Sequence, residues 1–242
     1  MFARSETHSP LRAVLVAAAA LGGTLPAAGR GEGPAASAPG RGKLADEVVA
    51  VVRSAGGEAR VITLSKVEEE GRIALVSAGA IEAAFRPLDA MALQASLDWY
   101  VDQYLLYEEA VRLKVFEVER TEALAQLARF KEVFRRVEDY RAFLFELDLT
   151  EEELLGTLRR TLRGQRYLQS RLGRLRVSDA DAEAYYGSHS ADFGGAPFAD
   201  VKEAVRARAT EERANTETRA LLSDLRARSE IRVIVDFAKG PG

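Results

Sequence analysis

Three clusters of neighbouring carboxylates are the side chains in this sequence best suited to acid–base chemistry. They are Glu68–Glu70, Glu108–Glu109 and Glu151–Glu153. A catalytic pair needs surroundings that separate the pKa values of its two carboxyl groups, and burial usually provides them. These clusters fall at expected helix starts or on expected polar helix faces, where carboxylates remain solvated. The pattern therefore predicts no catalytic residues.

Other catalytic groups are scarce. The chain has no cysteine, which excludes disulfides, thiolate metal sites, thiol nucleophiles and lipid-modified cysteine anchors. A histidine-based zinc site or a Ser/His/Asp triad would have to be built around His189, because the other histidine is His8, near the N-terminus. The pairs Gly56–Gly57 and Gly194–Gly195 lack the spacing and the following lysine of a phosphate-binding loop. We expect no enzyme activity, no metal site and no cofactor.

The overall charge is slightly acidic. The 242 residues include 34 Lys and Arg and 37 Asp and Glu, a formal net charge of −3, whereas a nucleic-acid-binding protein usually carries a basic excess. A run of arginines follows Thr150 and has the chemistry to grip phosphate. In an acidic chain it is more typical of a solvated helix face that complements the helix dipole. The run comprises Arg159, Arg160, Arg163, Arg166, Arg171, Arg174 and Arg176.

The N-terminal residues differ in composition from the rest of the chain. Arg4 and Arg12 precede or flank a short apolar stretch, Ala13–Leu21, in the order of a secretory signal peptide, which we place at residues 1–28. A membrane-spanning helix needs roughly 20 apolar residues, so we expect no stable membrane insertion. Residues 29–43 are rich in Gly, Pro and Ala, as in a flexible tether, which leaves residues 44–242 as the folded domain.

The folded part is expected to be mainly α with a small β-sheet. Glu47–Val52 and Arg60–Leu64 are β-branched runs on either side of Ser54–Gly57, a pattern that predicts a hairpin. A terminal strand at 231–235 has no other sheet to join, so we expect it to pair with that hairpin. Apolar periodicity and helix-start signals predict the helices. The first predicted helix is 66–80, which follows a capping box at Ser65–Glu68, and the second has Pro87 in its first turn and ends near Leu113. The next two are 118–135 and 137–147. The last three are a helix from the Thr150 capping box to Leu175, a short helix from Ser178 to Tyr186 and a helix at 198–228, with a predicted loop at Gly187–Pro197.

Several local sequences follow one another in a characteristic order. They are RVITLS at Arg60–Ser65, DWYVDQYLLYEEAVRL at Asp98–Leu113, LTEEEL at Leu149–Leu154, VSDAD at Val177–Asp181 leading to Tyr185–Tyr186, and a returning helix and strand at Phe198–Val235. This order resembles the N-terminal chaperone domain of SurA-type periplasmic chaperones and the related PrsA and PpiD foldases. The resemblance extends over about residues 44–237, and it implies a multi-helix chaperone domain closed by a small sheet.

Two departures from the family pattern are informative. In the foldases a parvulin-type isomerase domain follows the Tyr-Tyr segment, but here only Gly187–Pro197 separates Tyr186 from Phe198. That segment is too short to form an isomerase cleft, so we expect no peptidyl-prolyl isomerase activity. Lys114 stands where the family generally has a glycine after the signature helix.

The resemblance implies an ATP-independent periplasmic chaperone, exported by the signal peptide. Its partners would be unfolded or extended segments of envelope and outer-membrane proteins. Two alternatives remain open. The first alternative to a chaperone is an inactive or divergent member of the peptidyl-prolyl isomerase family. The second is a structural adaptor of the cell envelope that holds one specific partner.

Aromatic side chains are the candidates for client binding, because reversible binding of extended apolar segments needs an exposed apolar surface. Trp99, Tyr100 and Tyr104 cannot all point the same way on one helix, so at least one should lie off the core face, and we expect it to be Trp99. The candidate client-binding residues are Trp99, Tyr100, Tyr104, Tyr107, Phe143 and Phe145.

Overall fold

The structure is a computed structural model that describes residues 46–237. The predicted signal peptide at 1–28 and the tether at 29–43 lie outside the described residues. Within the described part, helices dominate and a three-stranded antiparallel sheet completes the fold, which confirms the predicted fold class. The helices are α1 (Leu64–Ser77), α2 (Ala90–Arg112), α3 (Arg120–Glu132), α4 (Val137–Glu146), α5 (Glu151–Leu172), α6 (Asp179–His189) and α7 (Phe198–Ala227).

The sheet joins the two ends of the described chain. Its strands are β1 (Val48–Arg53), β2 (Ala59–Thr63) and β3 (Glu230–Val233), in the order β2-β1-β3. Ala50 pairs with Ile62 on one side and with Val233 on the other, both antiparallel. The predicted hairpin and its pairing with the terminal strand are therefore confirmed. One face of the sheet packs on α2, and the other face is open among the described residues, as is common for small antiparallel sheets.

Helix starts follow the predicted signals at two of four places. The capping boxes at Thr150 and Ser178 are present, with Glu153 and Asp181 as the reciprocal partners. The capping box predicted at Ser65 is wrong, because α1 already begins at Leu64 and the Ser65 hydroxyl donates to the Asp46 carboxylate. The expectation that Pro87 lies in the first turn of α2 is also wrong. Asp89 caps that helix by accepting the Ala92 N–H at 2.8 Å.

Two hydrophobic cores lie side by side. The first lies between the sheet, α2 and the C-terminal ends of α5 and α7, and the second joins α1, α3, α4 and the start of α5. Helices α1 and α5 contribute side chains to both cores, so they join the two into one body. The second core contains a cluster of four aromatic rings with centroids 5.6–6.5 Å apart. The rings are those of Phe130, Phe134, Tyr140 and Phe143.

Helix α6 and the first half of α7 form a helical hairpin, which we call the arm. Buried side chains in the arm are mostly small, namely Ala182, Val205, Ala209 and Ala214. The predicted loop at Gly187–Pro197 is instead the end of α6 followed by a 3-10 turn at Ser190–Phe193. No helix among residues 46–237 combines the length and the apolar character needed to cross a membrane.

Candidate functional site

The six predicted client-binding residues do not form one surface. Phe143 is fully buried in the second core, whereas Phe145, two residues later on α4, is 89% exposed. Trp99 is half-buried and packs against the first core, so the expectation of an exposed Trp99 is corrected, and Phe145 carries the exposed ring. The three tyrosines of α2 lie together beside the edge of the sheet.

Tyr100, Tyr104 and Tyr107 line a narrow cleft of about 20 Å³ between β2, α2 and α5, which we call the tyrosine cleft. Tyr100 and Tyr104 are buried in the first core, at 5% and 9% exposed, and Tyr107 is half-buried. Arg60 of β2 forms one wall, Glu70 of α1 the floor, and Arg160 and Thr161 of α5 the other wall. Helices α2 and α5 approach closely beneath it because Gly164 has no side chain. A Cβ at that position would lie 3.3 Å from both Leu106 Cβ and the Tyr107 backbone N.

Guanidinium groups lie over the rings of the cleft. The Arg60 guanidinium is 5.4 Å from the centroid of the Tyr104 ring, and that of Arg163 is 6.0 Å from the Tyr107 ring. Burial raises the pKa of the Tyr100 and Tyr104 hydroxyls, so both remain protonated and able to donate hydrogen bonds. The opening of the cleft therefore consists mainly of the half-buried Tyr107 ring and the guanidinium groups beside the rings.

Gln103, which contributes to the lining of the cleft, carries a buried polar atom without a partner among the described residues. The side-chain Oε1 of Gln103 is buried and accepts no hydrogen bond within the described structure. Leaving a buried acceptor unsatisfied costs about 1–3 kcal/mol, so a donor that reached this oxygen would gain a favourable bond.

The floor of the cleft contains a buried ion network. Glu70 is 3% exposed and lies 3.2 Å from both Lys66 Nζ and Arg160 Nη2, and Thr157 Oγ1 donates to it at 3.3 Å. Burial opposes the charge on Lys66, but Glu70 and Glu69 outweigh that effect and hold its pKa above the usual value. The carboxylate is therefore paired, and the network positions α1 against α5.

The expectation that the paired carboxylates are all solvated is wrong for Glu70 and also for Glu109. Glu109 is 8% exposed, and Arg112 donates to it at 2.7 and 2.8 Å. These bonds hold the pKa of Glu109 below its usual value despite its burial, so the group is a carboxylate anion and not a poised acid. It lines a second pocket, of about 180 Å³, between the hairpin turn, α2 and α7.

Three arginines of α5 bind groups of the protein in addition to facing solvent as expected, whereas Arg171, Arg174 and Arg176 are exposed. Arg159 Nε donates to the Val118 carbonyl at 2.7 Å, and Arg163 Nε donates to the Val115 carbonyl at 3.0 Å. Arg166 binds the Glu122 carboxylate. These bonds connect Val115, Val118 and Glu122, in the α2–α3 connection and at the start of α3, to α5. Periodicity cannot reveal this, because the carbonyls lie 41 and 48 residues earlier in the chain.

Within the part of the chain that the structure describes, no three His, Cys, Asp or Glu side chains group as a metal site would require. His189 stacks on the Tyr185 ring with centroids 4.1 Å apart, and its Nδ1 lies 2.9 Å from the Tyr185 carbonyl oxygen. Comparisons of this chain with protein-family models, curated proteins and solved structures found no match. Among the described residues, the tyrosine cleft is the place where aromatic rings, guanidinium groups and a buried carboxylate lie together.

Proposed function

We propose that the protein is an ATP-independent holding chaperone that binds unfolded or extended polypeptide. The tyrosine cleft carries the proposal, because it offers what every extended chain requires. The half-buried Tyr107 ring offers an apolar face, the tyrosine hydroxyls are potential donors to carbonyls, and the Arg60 guanidinium beside them adds further donors. None of these groups depends on one particular client sequence.

The periplasm is the proposed location, and unfolded envelope proteins, including outer-membrane proteins, are the proposed clients. The predicted signal peptide and the resemblance to SurA-type chaperones support both. The short connection at Gly187–Pro197 supports a role without prolyl isomerisation. There the Tyr186 hydroxyl donates to the Ala196 carbonyl at 2.5 Å, and the Tyr186 ring packs on Phe193 and Phe198.

Suppression of aggregation tests the proposal. An unfolded outer-membrane barrel protein is diluted from denaturant with or without an equimolar amount of the full chain, and light scattering is followed. We expect scattering to fall at least twofold. Tyr107→Ala should remove much of this effect, because Tyr107 is the most accessible ring of the cleft.

Tyr185→Ala is the matched control, since Tyr185 is a partly exposed tyrosine on the arm, away from the cleft. This variant should suppress aggregation as well as the unaltered protein. No suppression by the unaltered protein would overturn the proposal. Saturable binding to a single envelope protein, without any effect on other unfolded chains, would favour the adaptor alternative.

A further inference from the structure

The sheet has an unpaired edge at β2. Strand β1 lies on one side of β2, and no described strand lies on the other. The Leu64 N–H donates to the Glu47 carbonyl across the hairpin at 2.8 Å, and successive strand residues direct their backbone groups to opposite sides. The backbone N–H and C=O groups of Arg60 and Ile62 therefore point toward β1. Val61 directs its N–H and C=O toward the open edge, and its side chain is 56% exposed.

The open edge is continuous with the tyrosine cleft. Arg60 belongs to β2 and also forms a wall of the cleft, where its guanidinium lies over the Tyr104 ring. A fourth strand beside β2 would therefore have one face over the cleft and the other beside Val61. Side chains of such a strand would alternate between the two faces.

The charges beside this edge are unbalanced. Glu70 is neutralised by Lys66 and Arg160. Arg60 forms no ion pair with any residue in 46–237, and the Arg163 guanidinium is bonded to the carbonyls of Ala110 and Val115 and to no carboxylate. Arg60 is therefore a cation at this edge without a carboxylate partner among residues 46–237, although Glu108 lies near Tyr104 and accepts a hydrogen bond from Ser54 instead. Acidic side chains of a bound segment would be favoured there.

We propose that an extended client segment binds by adding a fourth strand to the open edge of β2, with acidic residues over the tyrosine cleft and apolar residues beside Val61. The inference rests on the proposed function and assigns it a site and a sequence preference. Backbone bonds to Val61 supply affinity that does not depend on sequence, and the alternation of acidic and apolar side chains supplies the preference.

A proline substitution tests the strand addition directly. Val61→Pro removes the outward N–H, and proline is tolerated at edge positions that make no ladder bond. The probe is a labelled ten-residue peptide in which Val alternates with Glu, with blocked ends, and binding to the full chain is followed by fluorescence anisotropy at low salt. We expect Val61→Pro to weaken binding at least tenfold.

Val233→Pro is the matched control, because β3 is the opposite edge and Val233 is exposed there. It should leave binding unchanged, and circular dichroism checks that both variants keep the fold. If Val61→Pro unfolds the protein, Arg60→Gln replaces it. That variant should weaken binding of the Glu peptide about threefold or more and leave binding of a peptide with Gln at the Glu positions unchanged.

The outcomes separate this inference from the proposed function. Unchanged peptide binding by a folded Val61→Pro protein, or by Arg60→Gln if that variant replaces it, overturns the strand addition. The chaperone proposal still stands in that case if the unaltered protein suppresses aggregation. A shift from dimer to monomer in Val61→Pro, measured by size-exclusion chromatography, would identify a second copy of this chain as the occupant and would also overturn it. Absence of aggregation suppression in the unaltered protein would instead remove the proposed function.

Discussion

Lys114 adopts a left-handed backbone conformation, with φ of 54°, immediately after α2. Its N–H donates to the Val111 carbonyl at 2.9 Å, and the Val115 N–H donates to the Ala110 carbonyl at 3.0 Å. This pair of bonds is a Schellman motif, in which glycine is the favoured residue at the position of Lys114. This chain therefore forms a turn that favours glycine with a lysine in the left-handed position.

Lys114→Gly should raise the free energy of unfolding by about 0.5–1 kcal/mol. A left-handed residue with a Cβ costs about 1–2 kcal/mol, and part of the gain is offset by the greater freedom of glycine in the unfolded chain. Urea denaturation followed by circular dichroism measures the change. Lys114→Ala retains the Cβ and should give no gain, and an equal gain in both variants would contradict this explanation.

The crossing of α1 and α2 depends on a small residue at its centre. A Cβ at Gly71 would lie 2.6 Å from Ser96 Cβ and 3.1 Å from Leu88 Cδ1. Glycine in the middle of a helix is disfavoured by its backbone entropy, so its presence here is explained by the close approach of the helices. Helical periodicity alone places both helices but does not show which of their positions touch.

Gly71→Ala should destabilise the protein by about 2 kcal/mol, because overpacking outweighs the better helix propensity of alanine. Gly187→Ala is the matched control, since Gly187 also lies within a helix but a Cβ there meets nothing within 4 Å. The control should be neutral or up to about 1 kcal/mol more stable. Thermal unfolding of both variants tests the contrast, and a Gly71→Ala protein as stable as the original would show that the helices separate at little cost.

At the scale of the whole molecule, the arm differs from the body in what holds it together. The body has two aromatic and aliphatic cores, whereas the arm buries mainly alanines and Val205. Asp179 forms exposed ion pairs with Lys202 at 2.8 Å and Arg206 at 2.7 Å across the arm. Exposed pairs of this kind contribute roughly 0–1 kcal/mol. Local opening of the arm should therefore require less free energy than opening of the body.

Amide hydrogen exchange tests this difference. Amides in α6 and in the first half of α7 should exchange at least tenfold faster than those in the middle of α2, because few buried apolar contacts are lost when the arm opens. The last turns of α7 near Leu225, which is buried in the first core, are an internal control within the same helix. They should be protected like α2. Equal protection along all of α7 would contradict the division into arm and body.

Much of the fold was predictable from local patterns. The capping boxes at Thr150 and Ser178 join residues three apart, and the amphipathic periodicity of α2 and α5 repeats every three to four residues. The pairing of β3 with the hairpin also followed, since no other strand was available to a short terminal one. Three of the predicted binding residues, Tyr100, Tyr104 and Tyr107, came together because they lie one helical turn apart or nearly so.

The surroundings of individual side chains depended on the packing of distant segments. Glu70 meets Arg160 across 90 residues, and Arg163 reaches the Val115 carbonyl across 48, so no local pattern distinguishes these groups from solvated ones. Phe143 and Phe145 lie two residues apart on α4, so spacing places them on opposite faces, but the packing decides that Phe143 is the buried one. Short-range spacing records which residues share a face of a helix or strand. Which face is covered, and which charge meets a partner, is decided when the helices and the sheet pack together, because burial and ion pairing arise only there.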